Sequence, residues 1–243
     1  MKFIADLHTH TILSSHAYST IMENAKYASE IGLQILGTTD HGPTLPGAPD
    51  LWHFGNFKVM PRELFGVTML YGCEANIIDY EGNLDLPLNM QTNLDMMIAS
   101  LHEPLMQGDN SVDLNTTAIL KAMDNPNIKI LGHLGNPKFK IYEEEIVKKA
   151  KEKNILIEIN NSSFTTSRRG SEETCTKIAK LCKKFETRII VNSDAHFCYS
   201  IGDFSLAEKM LTEIGMPVEL IINTNKEKLM EFLTRGRDKT NGN

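Results

Sequence analysis

The sequence predicts an α/β barrel of parallel strands, and three observations carry that expectation. The chain has 243 residues, close to the ~250 at which α/β barrels commonly form one unit. Seven apolar runs of strand length recur along it. Between them lie segments with helical periodicity and capping signals, and strands alternating with helices build parallel βαβ units.

In chain order the runs are FIADL near the start, LQILGTT before His41, VTMLYG before Glu74 and LDMMIAS before His102. IKILG precedes His133, ILIEI precedes Asn160, and TRIIVNS precedes Asp194. The last is rich in β-branched residues, as buried parallel strands tend to be. The first helix opens on Thr20-x-x-Glu23, a capping box, places Ala25, Ala28 and Ile31 on one face and stops at Gly32. Further helical patterns fall at 114–123, at 142–153 with Ile146, Val147 and Ala150 on one stripe, and at 171–185 with Ile178, Ala179 and Leu181 among lysines. Two more occupy 206–214 and 227–234. The departure from this regularity is GPTLPGAPDLWHFGNF, 42–57, a long Pro/Gly-rich loop of the kind that is usually functional or disordered. No linker, repeat or low-complexity tract divides the chain, so residues 1–243 are expected to form a single domain.

Hydrophobic residues at 41% and charged residues at 23% supply a core of ordinary size. A net charge of −6 without any Lys/Arg block excludes a nucleic-acid groove, which needs a concentrated positive surface. No run approaches the ~20 apolar residues of a membrane span, and the first residues lack the regions of a signal peptide. Cys73, Cys175, Cys182 and Cys198 have no C-x-x-C spacing, so reduced thiols and a cytoplasmic location are expected. Apolar Trp52, Phe54 and Phe57 would suit an interface between copies of the chain.

Six of the seven runs deliver a candidate ligand to the C-terminal tip, the face where parallel α/β barrels place their active sites. The set is His8, His10, His41, Glu74, His102, His133, Asp194 and His196, with His16 shortly after the first run. A strand has a period of two, so His8 and His10 share one side, as do Asp194 and His196. Any lone histidine after a strand is more often a hydrogen-bonded core residue than a ligand. Imidazoles at successive tips would crowd and, if protonated, repel one another, which a divalent cation resolves. Glu74 behind an apolar run would likewise be pushed toward its neutral form unless a cation met it, while alternation turns its neighbour Cys73 away. Imidazoles and carboxylates without thiolates suit zinc, manganese or iron. The donors exceed two four-coordinate sites, so three ions with room for water fit better.

The motifs HTHT, His16, TTDHG, GCEAN, ASLHEP, GHLGNP, INNSSF and NSDAH together resemble the PHP (polymerase and histidinol phosphatase) superfamily, nearest its stand-alone YcdX-like phosphatases. The resemblance covers nearly the whole chain and implies a distorted seven-stranded (β/α) barrel, TIM-barrel-like, with a trinuclear metal centre. It assigns His8, His10, Glu74 and Asp194 to a first ion. A bridging Glu74 then joins His102 and His133 at a second, and His16, His41 and His196 hold a third.

The function expected is hydrolysis of a small-molecule phosphomonoester by metal-activated hydroxide, with Glu74 and Asp194 at the reacting centre. A water, Asp194 or a neighbouring histidine would protonate the leaving alkoxide. Arg168 and Arg169 precede a helix start, where anions are favoured. Arg168 would clamp the phosphate, or the pair is solvated loop charge. His53 either enters the site from the long loop or packs on Trp52 and Phe54. Asn160 and Asn161 either orient substrate or satisfy a turn. Two other readings are an amidohydrolase-like C–N hydrolase and a noncatalytic metal-stabilised binding module. Against the first, no lysine ends a central strand.

Overall fold

The computed structural model describes residues 1–234 apart from 104, 107, 108, 166 and 167. Seven parallel strands follow one another in chain order: β1 (Ala5–Asp6), β2 (Ile35–Thr38), β4 (Val67–Asn76), β5 (Met96–Ser100), β6 (Ile130–Leu131), β7 (Leu156–Asn160) and β8 (Ile189–Asn192). They form a nearly closed barrel, as the seven apolar runs predict. An eighth strand, β3 (Glu63–Leu64), pairs antiparallel with the start of β4. Its two residues are too short to leave a pattern in the sequence. Phe65 at φ 50° and Gly66 at φ 78° turn the chain between them, both positive as a two-residue type I′ hairpin requires.

Alternate residues of the strands divide the core in two. Ala5, Ile35, Leu70, Met96, Ile98, Ile130, Leu156 and Ile190 fill the barrel together with Leu229, Phe232 and Leu233 of α8 (Lys226–Thr234), which closes the end where the strands begin. Residues of the opposite parity, among them Leu36, Met69, Cys73, Leu131 and Val191, pack outward on the helices. Those helices are α1 (Ile21–Glu30), α4 (Val112–Ala122), α5 (Glu143–Lys153), α6 (Glu172–Phe185) and α7 (Ser205–Glu213), each within two residues of its expected start. The capping box of α1 is present, with Thr20 Oγ1 accepting from Glu23 N and Glu23 Oε2 accepting from Thr20 N. All four cysteines are buried free thiols. Among the described residues no helix is long and apolar enough to cross a membrane.

One expectation is corrected in the 42–57 segment. It contains α2 (Leu51–Gly55), started by Asp50, whose side chain accepts from Trp52 N at 2.9 Å. Phe54 and Phe57 are buried, Phe57 stacked on Tyr71 and Phe54 edge-on to Phe57, so neither can serve an interface; Trp52 alone of the three is exposed, at 85%. The composition of the loop hid an amphipathic turn too short to show periodicity. A four-residue helix, α3 (Leu88–Gln91), was also not foreseen.

The seam between β1 and β8 is not a strand ladder. Above it, a single bridge pairs Thr9 with Ala195, and His10 N donates to Ala195 O at 2.9 Å. Side-chain amides substitute for the rest. Asn192 Oδ1 accepts from Leu7 N at 2.9 Å. The wholly buried Asn223 donates from Nδ2 to Ala5 O (2.9 Å) and Val191 O (2.7 Å), and its Oδ1 accepts from Val191 N (3.2 Å). Removing that amide strands backbone groups away from water, so Asn223→Ala is expected to cost about 3 kcal/mol of unfolding free energy in urea titrations. A loss below about 0.5 kcal/mol would show that the seam closes without it.

Candidate metal centre

The tips of the strands converge on Glu74. It stands near the end of β4 on the inward parity and is completely buried. Its Oε1 lies 2.7 Å from His133 Nε2 and 3.3 Å from His102 Nε2. Its Oε2 lies 2.7 Å from His41 Nδ1, 3.3 Å from His8 Nε2 and 3.6 Å from His10 Nε2. Asp194 Oδ1 adds contacts of 3.1 Å to His10 Nε2, 3.5 Å to His8 Nε2 and 3.7 Å to His196 Nδ1. His16 Nε2 completes the cluster at 2.9 Å from His196 Nε2 and 3.3 Å from His41 Nε2. The structure therefore brings all nine expected side chains together, although they come from six different strand ends.

Local backbone explains the placement, and corrects part of the reasoning behind it. The β1 ladder ends at Asp6 and the β8 ladder at Asn192, so neither H-x-H nor D-x-H lies inside a strand. The two motifs instead flank the two partners of the Thr9–Ala195 bridge, which restores the alternation locally. His133 at φ 27° and Asp194 at φ 58° occupy the left-handed region. Such conformations cost roughly 1–3 kcal/mol each and persist where the surroundings over-determine them, commonly at functional sites.

The proton positions are set from behind. His8 Nδ1 is 2.7 Å from Glu158 Oε1, His102 Nδ1 donates to Asn76 Oδ1 at 2.6 Å, and His196 Nδ1 donates to the Asp194 carbonyl at 3.0 Å. Each contact directs the other ring nitrogen into the cluster, as outer partners of metal-binding histidines do. Four buried atoms there, His8 Nε2, His41 Nδ1, His102 Nε2 and Glu74 Oε2, have no aligned hydrogen bond despite their closeness. Unsatisfied donors and acceptors from four chain segments facing one point fit a cation, which accepts every lone pair at once. Three subsets have ligand atoms within 4.8 Å of one another: His8 with His10 and Asp194, His41 with Glu74 and His102, and His10 with His41 and His196.

For His10, His16 and His133 the electrostatics agrees with that fit. Burial, reinforced by His41, drives His10 down to about 3. Burial with His196 brings His16 to about 4, and burial with Arg168 brings His133 to about 4. These imidazoles are neutral at pH 7 and offer lone pairs. Burial also lowers His8, but the carboxylates of Glu158, Asp194 and Glu74 outweigh it and hold the imidazolium well above its ordinary range. Burial raises Glu74 and Asp194, yet His8 and its neighbours outweigh it and keep both carboxyls far below theirs.

Two supporting residues escaped the sequence reading. Glu158, inside ILIEI, accepts from His133 N (2.8 Å), Asn160 Nδ2 (3.0 Å) and Asn192 Nδ2 (2.9 Å) besides meeting His8. Its signal was available, since a lone carboxylate in a buried strand shares the inward parity of Asn160. Asp40, in TTDHG, accepts from Thr11 N, Thr11 Oγ1 and Ser14 Oγ at 2.6–2.8 Å. It thereby anchors the turn between His10 and His16, and burial notwithstanding, His53, His10 and these bonds take its carboxyl to about 2.

The remaining expectations divide. Arg168 NH1 reaches Asp194 Oδ2 at 2.9 Å and lines the cleft over the cluster, whereas Arg169 is exposed loop charge. His53 does not line the cleft. Its Nε2 faces Asp40 Oδ2 at 3.6 Å and its ring packs edge-on against Phe54 and Phe57, not Trp52. Asn160 Nδ2 holds Asp194 Oδ2 at 3.1 Å. Asn161 turns away, its Oδ1 accepting from Leu206 N and Ala207 N at the start of α7. The cleft itself has a volume of about 760 Å³, within the ~300–1,000 Å³ of small-molecule sites.

Comparison with known proteins follows the same lines. The PHP domain family matches residues 6–162. The chain is 60% identical over 233 residues to a probable phosphatase of Clostridium botulinum (strain Okra / Type B1), covering 96% of this chain and 95% of that protein. It is 47% identical over 242 residues to a probable phosphatase of Caldanaerobacter subterraneus subsp. tengcongensis, covering 100% and 95%. Among solved structures, histidinol phosphate phosphatase from Lactococcus lactis, complexed with Zn, L-histidinol and phosphate, superposes with a TM-score of 0.60 at 17% identity, covering 88% of this chain and 94% of that one. At that identity the likeness speaks for the fold.

Proposed function

This chain belongs to the PHP domain family, and on that premise we propose that it is a metal-dependent phosphatase acting on small-molecule phosphomonoesters. The observation that carries the proposal is Glu74, a buried carboxylate with five imidazole nitrogens within 3.6 Å and unsatisfied atoms on both sides. His8, His10, Glu74 and Asp194 would hold a first ion, Glu74 with His102 and His133 a second, and His16, His41 and His196 a third. The nitrogen and oxygen donors, with no thiolate, suit zinc, and manganese or iron as well. When bound, such ions supply Lewis acidity and bring the pKa of water to about 7.

The chain's own residues do the rest. Arg168 is the one Lys or Arg among the described residues lining the cleft, and beside Asp194 its fork would take a phosphoryl oxygen. Asp194 has one oxygen on His10 and the other on Arg168 and Asn160. A carboxylate so engaged and held ionised serves as a ligand and orients His10; it is poorly suited to protonate a leaving alkoxide. Asn160 and Glu158 keep Asp194 and His8 in register. The names of the relatives support the reaction class.

The test combines elemental analysis with phosphate release from p-nitrophenyl phosphate. Untreated protein is expected to carry about three divalent ions per chain, and chelation to lower turnover ~10³-fold or more, with recovery on adding Zn or Mn. Turnover indifferent to chelation contradicts the proposal.

A further inference from the structure

Building on the phosphatase reading, we propose that Tyr18 and Phe197 form an aromatic clamp at the mouth of the cleft that selects phosphomonoesters whose alcohol half carries a flat ring. Both residues line the cleft beside His16 and His196, yet Tyr18 is 72% exposed and Phe197 44%. Single exposed aromatics need no explanation. These two, however, are joined at one point of the framework: Tyr18 N donates to His196 O at 2.8 Å, and Phe197 is the next residue.

The clamp is braced from outside. Phe197 meets Tyr199 edge-on, with ring centroids 5.2 Å apart, and Tyr199 meets Tyr27 of α1 at 5.1 Å. The Phe197 ring is thus supported before any ligand arrives, and Tyr18 is tied to it through the backbone, which lowers the ordering cost of binding. Leu45 and Pro46 add apolar surface to the same cleft. Arg168 is the sole described Lys or Arg of the lining, and Glu103, an acidic member of it, is largely exposed. Beyond the metal-binding end, such a lining offers no stripe of Lys or Arg for a nucleic-acid backbone. A flat ring placed against tyrosine and phenylalanine gains offset-stacked or edge contacts that an aliphatic alcohol cannot make.

Binding of two non-ester probes to the metal-loaded full chain, followed by calorimetry, tests this without turnover. Phenylphosphonate is expected to bind about tenfold more tightly than methylphosphonate. In Tyr18→Ala/Phe197→Ala the ratio is expected to fall to within about twofold of unity. Because both positions neighbour the histidine cluster, metal content is measured alongside, and Tyr18→Leu/Phe197→Leu, which keeps apolar bulk without rings, is expected to show the same collapse. A wild-type ratio near unity, a ratio that survives in the leucine variant, or failure of both probes to bind overturns the clamp. If neither phenyl phosphate nor glycerol phosphate is hydrolysed while the phosphonate ratio holds, the phosphatase reading falls and the ring site stands.

Discussion

Glu74→Gln is expected to lower kcat for phosphomonoester hydrolysis by ~10³-fold or more and to release more than one ion per chain. The substitution keeps the shape of the side chain and removes its charge. Both oxygens of Glu74 face imidazole nitrogens, His133 and His102 on one side, His41, His8 and His10 on the other. An amide in that position turns an NH₂ toward one of these groups and leaves a single carbonyl where two anionic oxygens joined the two halves of the cluster. Excess Zn or Mn should not restore activity, because the missing donor would be shared between ions of the proposed centre. Elemental analysis beside kcat decides the matter: a variant that keeps its ions and stays within threefold of wild type would remove Glu74 from the centre.

Glu158→Gln is expected to weaken metal binding by 10–100-fold and to destabilise the metal-free protein by about 3–5 kcal/mol. Glu158 does not line the cleft, so its effect is indirect. Its carboxylate accepts from His133 N, Asn160 Nδ2 and Asn192 Nδ2 and faces the His8 imidazolium, all within 3.0 Å. Glutamine offers one acceptor oxygen and a donor that opposes these donors. Here excess Zn should restore most of kcat, since the first ligands remain, while the loss of unfolding free energy in chelator persists. A variant with wild-type metal affinity and stability would mean that His8 is oriented without it. The two variants separate the proposed shared ligand from the residue that would aim one of the others.

The contrast between those two residues also shows how far the sequence could be read. Glu74 was legible because it ends an apolar run and stands in series with His41, His102 and His133 at equivalent tips. Glu158 interrupts a run instead of ending it, and its partners at 133, 160 and 192 become neighbours only when β6, β7 and β8 pair. Asp40 and His53 follow the same rule. Their link depends on α2 folding back over the HTHT turn, and the Pro/Gly-rich composition of 42–57 concealed that helix.

The sequence by itself determined the seven parallel strands, the six longer helices, the inward and outward faces and the nine donors at the tips, because each is written in periodicities of two or 3.6 residues and in caps a few residues long. Only the tertiary structure decided how the barrel closes, which carboxylates stand behind the histidines and which aromatics are buried. Those features rest on pairs such as Leu7 with Asn192, 185 residues apart, and Asn223 with Ala5, 218 apart. A hydrogen bond across that distance leaves no local pattern in either segment, since each partner meets its own conformational preferences without the other. Such a bond exists only once packing has brought the two strands within reach.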